Sequence, residues 1–246
     1  MTMPPPPPRR SLSTLMVVLI VACTLLICAG VTAGGVAAWI TLRPVRTGAA
    51  VPPPSPGSAA AGDCVWNPGD AGESTLRPTT PKTVERRKMT ATIVTNLGTI
   101  TIELYGDKAP CSVAALRSLA DQHFYDNVAC HRVTTPADGL VVLQCGDPSG
   151  KGTGGPGYQY AEENLPVGQA NPYPRGTLAL ARTATPGTNG SQFFIVGADA
   201  QLSADYSVVG TVTRGMDIVD QVVAGGHSAT SEKPNVTVTM TKVTVS

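Results

Sequence analysis

The sequence predicts a mostly β fold, a closed eight-stranded antiparallel barrel capped by two α-helices, preceded by one transmembrane helix and a disordered linker. Three observations carry this expectation. Short β-branched runs punctuated by Gly, Pro and Asn recur through residues 89–246. They lack the strand–helix alternation of a parallel sheet, and only two stretches among them have helical apolar spacing. Upstream, residues 11–42 carry no charge over 32 positions.

The averages conceal this division. The 246 residues are 42% hydrophobic and 14% charged, with a formal charge of +1. That is too apolar and too weakly charged for a disordered chain, and it lacks the basic surplus of a nucleic-acid binder. Residues 1–88 nevertheless sum to +5 and residues 89–246 to −4. All three Phe and all six Tyr lie in the second part, whereas Trp39 and Trp66 lie in the first. One domain of 158 residues is therefore expected to begin near Met89.

Four segments follow in order. Residues 1–10 form a short tail rich in Pro and Arg, expected on the cytoplasmic side. Residues 11–42 are expected as the transmembrane helix. Their most apolar part, Leu15 to Ile40, is 26 residues long, against the roughly 20 that span a bilayer, and Trp39 suits an interfacial anchor. Signal-peptide apolar regions run only about 7–15 residues, so the segment reads as an uncleaved single-pass anchor in the cell membrane. Residues 43–88, rich in Pro, Gly, Ala and Ser, read as a linker that lifts the domain, outside the cytoplasm, off the membrane.

Within residues 89–246, Ala91–Asn96 and Thr99–Leu104 alternate on either side of an Asn/Gly turn, the pattern of a hairpin. Pro110 and Ser112 open a helix along which Val113, Leu116, Leu119 and Ala120 share a face. Five short apolar runs follow: Cys130–Val133, Leu140–Gln144, Thr177–Ala181, Gln192–Val196 and Val208–Thr213. A second helix covers Met216–Val223 and stops at Gly225-Gly226. The last strand, Val236–Val245, changes apolar parity between Met240 and Val243, which predicts a bulge. Closing such a sheet into a barrel covers its edges.

Several chemistries fall away. Gly152–Gly157 matches G-x-G-x-x-G, but no strand leads into it and no helix leaves it, so a Gly-rich surface loop is the better reading than a nucleotide site. Ser191 lies outside any G-x-S-x-G elbow, and His123, His131 and His227 pair with no recognisable nucleophile. None of the six cysteines forms a C-x-x-C pair, so no metal site is expected. Cys23 and Cys28 lie in the apolar span. Cys64, Cys111, Cys130 and Cys145 lie beyond it and allow three disulfide pairings in an oxidising compartment. One residue stands out, because a charged Arg132 inside a short apolar run is costly unless it lines a pocket or is paired.

The order Cys130-His131-Arg132-Val133, Gln144-Cys145-Gly146-Asp147, the Gly-rich loop 152–155 and Asn189-Gly-Ser-Gln192-Phe-Phe194 resembles the cyclophilins, the peptidyl-prolyl cis–trans isomerases. Thr95–Ile100, Ala109-Pro110 and Gly215–Val219 fit the same pattern, so the resemblance covers essentially all of 89–246. The anchor, linker and cysteines look similar to membrane-tethered cyclophilins of actinobacteria. The resemblance implies the barrel with a helix at each end, a monomeric domain, proline-containing polypeptides as partners, no nucleic acid and no cofactor. It implies Arg132 and Gln192 as catalytic residues. Gln144, Phe194, Val141, Val142, Ala181, Arg182, Leu202 and Tyr206 would contact substrate.

The pocket departs from the family pattern. Val141 and Val142 stand at its Phe and Met positions, Arg182 at an Asn, Gln201 at a Trp and Tyr206 at a His. Cyclosporin contacts that Trp in the family, so tight binding of the drug is not expected here. Cys130 and Cys145 flank the two strands around the Arg132 turn. Pairing of these strands as a hairpin would set the two cysteines opposite each other. This favours Cys130–Cys145 and leaves Cys64–Cys111, which would pin the linker to the domain. The expected function is X-Pro isomerisation that assists folding of extracytoplasmic proteins. The rival is a non-catalytic proline-peptide binder or holdase.

Overall fold

The computed structural model describes residues 64–246. The expected tail, the transmembrane helix and the linker as far as residue 63 lie outside these residues. Among the described residues no helix is long and apolar enough to cross a membrane. The strands are β1 (Asn67–Pro68), β2 (Lys88–Thr95), β3 (Gly98–Tyr105), β4 (Val128–Ala129), β5 (Arg132–Val133), β6 (Val142–Cys145) and β7 (Tyr158–Gln159). They continue with β8 (Thr177–Leu180), β9 (Phe193–Val196), β10 (Val208–Arg214), β11 (His227–Ser228), β12 (Ser231–Pro234) and β13 (Thr239–Val245). The helices are α1 (Pro110–Asp121) and α2 (Met216–Gly225).

Nine strands form one antiparallel sheet in the order β4-β13-β2-β3-β10-β8-β9-β6-β5. The sequence presents eight of these. The ninth, β4, is two residues long and too short to show a period. The β2–β3 hairpin turns at Asn96-Leu97, with Thr95 opposite Gly98. Met89, Ala91 and Ile93 of β2 face Ile100, Ile102 and Leu104 of β3 in the core, as period-two alternation requires. The register of β13 against β2 slips between Met240 and Lys242, where the sequence changes parity. The sheet is curled so that its two edge strands, β4 and β5, are consecutive in the chain. Of the two residues between them, Cys130 donates its N–H to Val238 O (2.9 Å) and His131 donates to Gln144 O (3.1 Å).

The helices pack their apolar faces on this sheet. α1 buries Val113, Leu116, Leu119 and Ala120. Its Ala109 cap supplies no side-chain acceptor, and the Glu163 carboxylate takes that role from a distance. It accepts from Cys111 N (3.1 Å), Ser112 N (2.7 Å) and Ser112 Oγ (2.8 Å), placing negative charge at the positive end of the helix. α2 starts after Gly215, whose φ of +90° favours glycine, and buries Ile218, Val219 and Val222.

The last part of the expected linker, residues 64–88, is laid along the domain. β1 pairs with β7. The Trp66 ring meets Tyr158 and Tyr160 edge-on at 5.6 and 5.1 Å. Gln122 of the segment after α1 accepts from Thr79 N at 2.8 Å. A Cys64–Cys111 disulfide fastens the start of this segment to α1, and a Cys130–Cys145 disulfide joins the turn before β5 to the end of β6. The Cys64–Cys111 tie is the expected one, whereas the Trp66 packing and the β1 pairing come from isolated residues in a Pro/Gly-rich background that composition does not signal.

Removing the first disulfide tests its share of stability. Its closed loop of 47 residues predicts that Cys64→Ser/Cys111→Ser lowers unfolding free energy by about 2–4 kcal/mol. Urea denaturation followed by circular dichroism reads this. An unchanged midpoint would show that Trp66 and β1 suffice to hold the segment.

Candidate active site

Alternation along five neighbouring strands divides two apolar clusters. Leu143, Cys145, Phe193, Ile195, Leu178 and Leu180 point into the main core. Their neighbours point the other way, and register aligns them in a row: Arg132 opposite Gln144, Gln144 opposite Phe194, Phe194 opposite Ala179. A second cluster grows on this outer face from Val142, Tyr173, Ala179, Phe194, Val196 and Ala200. Leu140, Ala181, Leu202, Tyr206 and Val208 are partly buried against it. Phe194 meets Tyr206 edge-on at 5.5 Å. The Tyr173 hydroxyl lies 3.1 Å from both Ser203 O and Tyr206 O and accepts from Tyr206 N at 3.0 Å, which fixes the turn that carries Tyr206.

At the edge of this apolar patch lies a directed chain of hydrogen bonds. Gln192 Nε2 donates to Gly152 O and Gly154 O, each at 2.9 Å. Its amide is thereby oriented, and Oε1 accepts from Gln144 Nε2 at 3.0 Å. Gln144 in turn presents Oε1 to Arg132 Nη1 at 3.4 Å. Two backbone carbonyls of the Gly-rich loop thus set which way both glutamine amides point.

The loop is itself held by Asp147, which is fully buried. Burial alone would raise its carboxyl. Hydrogen bonds from Gly154, Ser149 and Gly152 outweigh burial and lower it below the ordinary carboxylate range. Ser149 N and Gly152 N donate at 2.7 and 2.6 Å. A Cβ on Gly154 would collide with Asp147 Oδ1, so close backbone approach is the reason for glycine there.

Arg132 is also paired. Its Nε donates to Glu232 Oε2 at 2.6 Å and its Nη2 to Glu232 Oε1 at 3.1 Å. Both readings of a charged residue in an apolar strand thus hold, since it borders a patch and has a partner. Glu232 sits on β12, one hundred residues away, and nothing in Ser231–Pro234 signals it. The β11–β12 hairpin is clasped by His227, whose Nε2 lies 3.0 Å from Asp138 Oδ2 and Nδ1 2.9 Å from Ser228 O.

Other expected site residues are distributed unevenly. Gln144, Gln192, Phe194, Val142, Ala181, Leu202 and Tyr206 converge with Arg132 on the outer face. Val141 has the opposite parity to Val142 and packs against Gly197, where even a methyl group would collide with it, and Leu140 joins the patch instead. The Arg182 guanidinium braces the neighbouring loops through Asp205 O (2.8 Å) and Thr183 O (2.9 Å). It lies 5.8 Å over the Tyr206 ring. Gln201 is exposed. Sequence reasoning did not single out Tyr173, Asp147 in its loop-holding role, or Glu232.

The outer face of the sheet thus carries a second, largely buried apolar cluster bordered by a paired guanidinium and two oriented amides. Residues 90–245 match the family described as cyclophilin type peptidyl-prolyl cis-trans isomerase. The chain belongs to that family. Mycobacterium tuberculosis proteins named probable peptidyl-prolyl cis-trans isomerase B are 40% identical over 209 residues, covering 78% of this chain and 67% of theirs. A Mycobacterium leprae protein of the same name is 45% identical over 160 residues, 61% of this chain and 52% of that one. The chain thus spans about two thirds of the first relatives and about half of the last. A cyclophilin-type isomerase of Cryptosporidium parvum superposes with a TM-score of 0.57 at 27% identity, covering 65% of this chain and 98% of that one. A structure of the same protein in the presence of the dipeptide Ala-Pro gives a TM-score of 0.56 at 28% identity, covering 64% and 98%.

The hairpin clasp titrates. The hydrogen bond to Asp138, then the bond to Ser228 O, raises His227 above its ordinary value of 6.5. His227 and the Thr135 turn hold Asp138 at about 2. The histidine contribution is complete below about pH 6.5 and is lost as pH rises through its elevated folded value. The aspartate contribution is complete above about 3.8 and is lost as pH falls toward 2. The clasp is therefore tightest between roughly pH 4 and 6.5. NMR titration of the His227 ring is expected to give a midpoint above 6.5 that falls in Asp138→Asn. A midpoint insensitive to that substitution would refute the clasp.

Proposed function

We propose that this chain is a membrane-tethered prolyl isomerase in which Arg132 acts on X-Pro bonds of extracytoplasmic polypeptides. The observation that carries the reading is the chain from Gly152 O and Gly154 O through Gln192 and Gln144 to Arg132, set at the border of the Phe194 patch. X-Pro rotation is slow because twisting breaks amide resonance, a barrier of about 18–20 kcal/mol. In the twisted state the prolyl nitrogen regains a localised lone pair and becomes a hydrogen-bond acceptor. A guanidinium aimed at that nitrogen stabilises the twisted state over both planar ones and so lowers the barrier. The step needs no covalent intermediate and no cofactor.

The apolar side chains have the complementary task. Phe194, Val142, Leu202 and Tyr206 hold the proline ring, and Gln144 and Gln192 hold the peptide backbone beside it. Ala181 leaves room for the neighbouring substrate residue, and Arg182 supports the Tyr206 wall from behind. Val142 offers the proline ring less apolar contact than a longer side chain would. The curled sheet acts as a barrel, closed by the chain itself at Cys130–His131, and the domain works as a monomer. The uncharged span of residues 11–42 supports the membrane placement, and two disulfides support an oxidising, extracytoplasmic setting.

The test is isomerisation of a short X-Pro peptide by the full chain. Arg132→Ala is expected to lower kcat/KM on the order of 10²–10³-fold with the circular dichroism spectrum unchanged, as for loss of one transition-state donor. Equal activity in both would remove Arg132 from the mechanism. A wild-type chain that binds the peptide without isomerising it would establish the holdase reading instead.

A further inference from the structure

We propose that Glu232, presented by the β11–β12 hairpin, is the positioning residue of Arg132 and sets the guanidinium orientation needed for isomerisation. The proposal rests on the reading of Arg132 as the group that acts on the prolyl nitrogen. A guanidinium carries five N–H donors in a planar fork. Glu232 accepts from the Nε/Nη2 edge at 2.6 and 3.1 Å, and Gln144 accepts from Nη1 at 3.4 Å. Three of the five donors are thereby used, from two different sides. One N–H on Nη1 and one on Nη2 remain for substrate. The carboxylate therefore orients the group without occupying it.

Gln144 alone does not accomplish this. Its contact is long and single, and one hydrogen bond leaves the guanidinium free to rotate about it. A two-point carboxylate contact fixes the guanidinium plane. The Arg132 and Glu232 side chains are 32% and 49% exposed, so water and salt screen their attraction and the pair adds little to overall stability. Its contribution lies in the rotamer freedom that Arg132 gives up before substrate arrives. Arg132 also keeps Glu232 below the ordinary carboxylate range, so the acceptor stays ionised at neutral pH.

The hairpin that carries Glu232 is anchored from both ends. Asn235 N donates to Gly226 O (2.9 Å) and Asn235 Nδ2 to Gly225 O (3.0 Å), tying it to the end of α2. His227 ties it to Asp138, in the turn between β5 and β6. Glu232 is thus fixed relative to Arg132 by two attachments that do not pass through Arg132.

The test uses the full chain, with kcat and KM for an X-Pro peptide read by NMR exchange and stability read by urea denaturation. Glu232→Ala is expected to lower kcat on the order of tenfold, with KM and the urea midpoint little changed. Glu232→Gln, which keeps an acceptor without the charge, should recover part of the loss. In an Arg132→Ala background, Glu232→Ala should cost nothing further. Unchanged or increased activity in Glu232→Ala, with Arg132→Ala impaired, would overturn the positioning role and leave the Arg132 reading intact. An additional loss in the double variant would show that Glu232 acts other than through Arg132 and would also overturn the proposal. Full activity in Arg132→Ala would overturn both.

Discussion

Side-chain alternation along β6 and β9 is the constraint on which core and site both depend. Successive residues of a strand must face opposite sides of the sheet. Leu143, Phe193 and Ile195 are therefore committed to the core, and Val142, Gln144, Phe194 and Val196 to the outer face. A slip of one residue in β6 would bury Gln144 and expose Leu143, and a slip in β9 would exchange the faces of Phe193 and Phe194. The many apolar contacts of the inner cluster thus hold the outer row in register, and the position of the site follows from core packing rather than from the site's own weak contacts. The Phe193–Phe194 pair illustrates this, since one ring packs on Tyr125 inside and the next on Tyr206 outside.

Polar order at the site has a separate origin. It begins at the buried Asp147 carboxylate, which shapes the Gly-rich loop. It passes through two backbone carbonyls to Gln192, then Gln144, then Arg132. Every link is a hydrogen bond whose direction is set by the one before. A glutamine whose amide is pinned at its nitrogen can only present its oxygen forward. Arg132 therefore stands at the meeting of two fixed systems, the loop chain on one side and the hairpin carboxylate on the other.

Much of this was legible in the sequence because it rests on period and spacing. The β2–β3 hairpin, both helices and the β13 bulge follow from residue pattern, and the expected hairpin around Arg132 favoured the Cys130–Cys145 pairing among the three that four cysteines allow. The outer-face residues Phe194, Gln192 and Gln144 were legible because they sit within ordered motifs. What escaped depends on chain paths that bring distant residues together. Glu232 is one hundred positions from Arg132, and no local pattern marks an ion pair of that span. Val141 was expected beside Val142, but alternation turns it toward Gly197. Residues 64–88 read as linker because their composition is that of a linker; the Cys64–Cys111 tie was expected, but the further attachments come from Trp66 and Thr79 individually.

The position of β13 bears on how the protein is made. This last strand lies between β4 and β2, so Val245 pairs with Ala91 and Thr239 with Ala129. The sheet therefore cannot be completed while residues 239–245 are still within the ribosome. Until they emerge, β2 presents an open edge with Ala91 and Ile93 beside it, and β4 has no neighbour in the sheet. The nascent domain is thus obliged to wait for its final strand, and the pairing it then makes is among the most distant in the chain, which places it among slowly folding topologies.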